Sequence, residues 1–164
     1  MTSKTSAVMI KKDDMEQLLR EWSNVSQWLK AHISTKSPPH RYEGDLAIEG
    51  QCLVFRGRDI KEVRDFEEVI PLDRIIEVLL AFDERLKGSI DFSFGIGGPA
   101  PLIVRYQSES REQVAYFNTS LSNYPVHIAN RNREWYETLD DIVNDTLQWN
   151  WKKKRQSEPA PCLA

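Results

Sequence analysis

EEVIPLDRIIEVLLAF, residues Glu67 to Phe82, decides the fold. It reads as two strands meeting at a corner. Ile70 and Leu72 alternate up to Pro71 and Asp73, and Ile76, Val78, Leu80 and Phe82 alternate again at period two. Helix is the competing reading of so short an apolar run. The β-branched residues favour strand, and Pro71 lacks the N–H that a helix interior needs. Ile75, Leu79 and Ala81 make the opposite face of the second strand apolar as well, apart from Glu77. A strand apolar on both faces is expected at the centre of its domain, covered on both. Ile76, Val78, Leu80 and Phe82 are therefore expected in the core, beneath a helix.

Toward the N-terminus, Arg56 to Asp65 (RGRDIKEVRD) is charged throughout. Arg56, Arg58, Lys61 and Arg64 stand among Asp59, Glu62 and Asp65. Such mixed signs read as a solvated loop with local ion pairs, each worth under about 1 kcal/mol, or as a patch that binds phosphate or lipid headgroups. A hairpin precedes it. Tyr42 to Ile48 alternates, Glu49–Gly50–Gln51 turns, and Leu53 and Phe55 return on one face. Further back, the prolines of Ser34 to Pro39 (STKSPP) stop a helix.

That helix starts near Asp13 and Asp14, acids that suit an N-terminus. Met15, Leu18, Leu19, Trp22, Val25, Leu29 and Ile33 make an amphipathic stripe along it, with Trp28 off the stripe. The helix, bounded at 13–36, either packs on its own domain or pairs with another chain. In the second case Trp22, Trp28 and Leu29 are the partner-binding residues. Residues 1–12 read as a disordered lead-in.

Toward the C-terminus, Ser89 to Phe94 alternates as a half-buried strand. Gly95 to Pro101 (GIGGPAP) resembles a phosphate-cradling loop only superficially, because no Lys–Ser/Thr follows and no helix can begin at Pro99–Ala100–Pro101. Leu102 to Gln107 and Gln113 to Thr119 form a second hairpin. A last helix starts near Asn132, a good N-cap, and carries Trp135, Tyr136, Leu139, Ile142, Val143 and Leu147 on one face. Lys152 to Arg155 (KKKR) opens a polar tail, 151–164.

At 164 residues the chain is one domain's worth, long enough to bury a core without disulfides or metal. A net charge of −3 argues against a nucleic-acid protein, whose footprint is basic. Cys52 and Cys162 give neither a zinc spacing nor a disulfide framework, which fits a reducing cytoplasm. No apolar run approaches the roughly 20 residues of a membrane-spanning helix. His32, His40 and His127 match no metal motif, and no nucleophile signature accompanies them. The sequence thus predicts no catalytic residues, no metal and no cofactor.

Seven antiparallel strands (about 42–48, 52–57, 66–70, 75–83, 89–94, 101–107 and 112–118) capped by a C-terminal helix are expected as a barrel or two packed sheets. The segments EGDLAIEGQCLVFRG and VIPLDRIIEV resemble the strands and the strand corner of the pleckstrin-homology-like superfamily, including its GRAM and bacterial branches. The resemblance covers 41–149, within a domain bounded at 41–150, and implies a binding module without catalysis, whose ligands are lipid headgroups, peptides or proteins. The phosphoinositide-binding members of that superfamily carry basic residues around the first inter-strand loop. Here that loop is Glu49–Gly50–Gln51, after a strand holding Glu43 and Asp45, so no cage of charge-assisted bonds to phosphate assembles there. The expected function is a cytoplasmic adaptor engaging a protein partner or itself. The alternative is a membrane-surface module that binds anionic lipid through Arg56, Arg58, Lys61 and Arg64.

Overall fold

The computed structural model describes residues 4–21, 40–81, 100–119 and 131–157. The order of elements is β1 (Lys4–Lys11), α1 (Lys12–Glu21), β2 (Tyr42–Glu49), β3 (Cys52–Asp59), β4 (Arg64–Pro71), β5 (Ile75–Leu80), β6 (Leu102–Gln107), β7 (Glu112–Thr119) and α2 (Asn132–Ser157). Among the described residues the protein is mainly β, with seven antiparallel strands, one helix after the first strand and one at the C-terminal side. The strands form a single sheet in the order β4-β3-β2-β1-β7-β6-β5.

β4 and β5 follow one another in the chain, yet they are the two edges of that sheet. Only Leu72–Arg74, one 3-10 turn, joins them, and so short a link spans at most about 14 Å. The edges must therefore approach, and the sheet curls into a half-barrel. Small residues make the curl feasible. Ala7, Gly44, Gly57 and Phe66 lie in one row across four strands. A Cβ on Gly57 would fall 1.9 Å from the Glu43 carbonyl oxygen, so the backbones of β2 and β3 touch there. Phe66 covers the bare row by stacking on Tyr42, with ring centroids 3.8 Å apart.

The inner face carries the core: Met9, Leu46, Leu53, Phe55, Ile70, Val104 and Phe117, all essentially inaccessible. α2 covers it with Trp135, Leu139 and Val143, spaced four apart on one side of the helix and packed with Leu72, Ile75 and Val78. Each such side chain contributes about 1.5–3 kcal/mol when fully buried. On the outer face, Ile10, Ile103 and Tyr116 meet Met15 of α1 in a second, smaller cluster.

Several expectations need correction. Residues 4–11 of the lead-in are not disordered, because they form β1 in the middle of the sheet, paired to both β2 and β7. It supplies the seventh strand, while the strand expected at 89–94 lies outside the described residues. The corner stretch is not central either, since β5 is an edge. Its register slips between Ile75 and Glu77, so Ile75 and Val78 turn inward. Ile76 and Leu79 are left 39% and 40% exposed, and Phe82 is outside the described residues. The tail expected from residue 151 begins later, because α2 runs to Ser157.

Candidate functional site

Polar groups buried inside an apolar fold must find partners, and two places concentrate them. The first joins α2 to the sheet. Asn132 Oδ1 accepts from the Thr119 backbone N–H at 2.8 Å and from its hydroxyl at 2.9 Å. Asn132 Nδ2 donates to the Ala100 carbonyl at 2.9 Å and to Asn118 Oδ1 at 3.2 Å. Asn132 is thus more than the N-cap expected from its position: its amide ties the helix start to the end of β7 and to the approach to β6.

The second lies where β2 begins and β3 ends. Asp59 is fully buried. Its carboxylate receives Arg41 Nε at 3.2 Å on both oxygens and Arg41 Nη2 at 2.8 Å on Oδ2. Oδ1 also accepts the backbone N–H groups of Lys61 at 3.0 Å and Glu62 at 3.1 Å. This is the local Asp-to-backbone bonding that shapes turns, here clamped from below by a guanidinium. The remaining arm of Arg41, Nη1, reaches Asp14 of α1 at 2.6 Å, and the Tyr42 hydroxyl donates to the same carboxylate at 3.2 Å. One side chain therefore connects α1, β2 and the β3–β4 turn.

This wiring displaces the titration of its members. The hydrogen bonds from Arg41 hold the Asp59 carboxyl below the usual carboxylate range, and the backbone N–H groups add to that. Burial, with Asp14 beside it, pushes the Tyr42 phenol up to about 12. Inside the half-barrel, Glu68 of β4 accepts the Tyr106 hydroxyl at 2.6 Å and pairs with Lys11. Burial first, and Glu68 second, push the Tyr106 phenol upward.

The locked turn displays apolar groups. Ile60 is 44% exposed and Val63 is 65% exposed. Val63 has φ 52, the one positive φ at a non-glycine among the described residues. For a β-branched residue this is a strained conformation, costing about 1–3 kcal/mol, and such strain clusters at functional sites. Beside the turn is a groove of about 300 Å³ lined by Ile10, Asp14, Gln17, His40, Arg41, Ile60 and Lys61.

The four cations of the expected anion patch divide. Arg56 is taken up by Glu49 and Glu67, and its neighbours across the strands are Asp45 and Glu67. Arg58 faces Glu43 and Asp65 in register, without an ion pair to either. Arg58, Lys61 and Arg64 flank or occupy the turn and have no side-chain partner among the described residues. Trp22, Trp28 and Leu29 lie outside the described residues, as do His32 and His127. His40 pairs with Glu43 at 2.8 Å. Among the described residues no group of three or more His, Cys, Asp or Glu could hold a metal ion, and no helix is long and apolar enough to cross a membrane.

The sequence did not reveal Arg41, Asp59, Ile60 or Val63 as a unit. Asp59 looked like one more charge in a mixed run, and the signal available was its place two and three residues before Lys61 and Glu62. No family model, no curated protein and no solved structure matches the chain.

Proposed function

We propose that the protein is a non-catalytic binding module of pleckstrin-homology-like design that docks a protein partner on the β3–β4 turn and the groove beside it. One observation carries this reading. A turn fixed by a buried Asp59–Arg41 bridge holds Ile60 and a strained Val63 in solvent. Folding alone would favour glycine or asparagine at a positive φ, and a polar residue at that exposure. A preorganised apolar tip loses little entropy on binding, which is what makes a recognition surface efficient. Seven antiparallel strands with a helix at the C-terminal side are the features that support the superfamily part of this reading.

An anionic membrane surface is the second reading, since Arg58, Lys61 and Arg64 accompany the apolar tip. Residues 58–65 carry three cations interleaved with three carboxylates, short of the roughly four to eight clustered Lys and Arg that hold a segment on anionic lipid. A photo-crosslinking residue in place of Ile60, in the full chain in its native cell, tests the proposal. The expected result is a discrete protein adduct that is lost when Val63→Asp is added. Adducts only to lipid, or a protein adduct indifferent to Val63→Asp, would contradict it. Co-sedimentation with anionic vesicles that weakens with salt would favour the membrane reading instead.

A further inference from the structure

The chemistry of the partner follows from which groups around the groove are already committed. The carboxylates are spoken for: Asp14 by Arg41 and Tyr42, Asp59 by Arg41 and two backbone N–H groups, Glu43 by His40, Glu62 by Arg41 at 3.6 Å. Arg41 in turn has its Nε, Nη1 and Nη2 in use. Of the lining residues with a formal charge, that leaves Lys61 without a side-chain partner among the described residues, and Arg58 and Arg64 flank the turn in the same state. Asp65 is the one carboxylate of the turn segment outside a pair among the described residues. Paired charges at a surface largely cancel each other's field, and unpaired ones dominate what a visitor meets.

The walls are apolar where they are not committed. Ile10 and Ile60 are the apolar side chains that line the groove. At about 300 Å³ the volume is at the small end for ligand pockets, roughly 300–1,000 Å³, and it suits one bulky side chain better than a cofactor. We infer that the groove takes a single large apolar side chain of a partner polypeptide, with an Asp, a Glu or a C-terminal carboxylate next to it that pairs with Lys61. This rests on the docking role proposed above and adds the partner's chemistry to it.

Selection of random twelve-residue peptides displayed on phage, against the full chain, tests it. Selected peptides are expected to carry one Leu, Met, Phe or Trp flanked by acids. Their affinity should fall about tenfold in Lys61→Glu and in Ile60→Asp, and fall with added salt, as for an interfacial charge pair and its anchor. Both positions are exposed, so melting curves of the variants should overlay that of the wild type. Selection against Lys61→Glu should turn the preference toward basic flanks. Basic or uncharged peptides from the wild type, no enrichment at all, or equal affinity for the variants would overturn the inference. A protein adduct at position 60 together with any of those results would leave the docking role standing and remove only the acidic partner.

Discussion

Two buried polar networks hold this half-barrel, one where β7 stops and one where β2 starts, and they differ in kind. The Asn132 network is neutral, and each of its bonds joins one part of the fold to another. The Arg41 network is charged, and it ends in a turn that points apolar residues outward. A neutral amide can be buried at small cost once its bonds are made, whereas buried ions recover their desolvation penalty only with close geometry. The difference teaches where to look for function: the α2 end is organised for closure, and the Arg41 end sustains both charge burial and backbone strain for a surface feature.

The largest effects should come from changes that break the frame shared by both networks. Gly57→Val places atoms into the β2 backbone, and expression is expected to give insoluble chain, as a soluble-fraction assay would show. On the α2 side, Trp135→Ala should cost about 3–5 kcal/mol in urea unfolding, from the lost contacts and the cavity. Trp135→Phe should cost clearly less, because the indole N–H has no hydrogen-bond partner among the described residues to lose. Asn132→Ala should cost about 2–3 kcal/mol, since it strands the Thr119 N–H and hydroxyl in a buried place. If Asn132→Ala proves nearly neutral, the contrast drawn between the two networks loses its first half.

How much of this was legible in the sequence depended on local pattern. Strands with clean alternation, such as Leu53–Phe55 and Leu102–Tyr106, could be read, as could α2 with Trp135, Leu139 and Val143 on one side. β1 could not. Its inward residues are Thr5, Ala7 and Met9, which make no run of large apolar residues at alternate positions, and Ala7 is small because the sheet curls against Gly44 there. β5 misled in the other direction, because a slipped register reassigns which of Ile75 and Ile76 faces in, and no alternation rule contains a bulge. The candidate site was hidden for a different reason. Arg41 and Asp59 are eighteen residues apart, and Asp14 twenty-seven from Arg41. Only the pairing of Tyr42 with Asp59 in the sheet brings them together.

Smaller effects sharpen the comparison through pH. Asp59 titrates below its ordinary value in the folded chain. Its stabilising contribution should be complete above about pH 4, the unfolded carboxylate range, and fade as pH falls through the folded value. Asp59→Asn should flatten that acid limb of a melting-temperature profile, whereas Asn132→Ala should leave its shape unchanged. Tyr42 has the opposite sign. Its phenol is raised, so its contribution is present below about pH 10 and is lost as pH rises toward 12. An absorbance titration near the phenolate band should lose one high-pH component in Tyr42→Phe.

The most direct test is Val63→Asn, read in two ways. Asparagine tolerates the left-handed backbone that valine resists, so the account predicts a gain of about 1 kcal/mol in stability. It also predicts that a photo-crosslinking residue at position 60 captures far less partner protein in this background than in the wild type. Stability rising while capture falls would mark Val63 as a residue kept for binding at the expense of folding. A destabilised variant, or one that captures partner as well as the wild type, would contradict the claim that this turn is the docking surface.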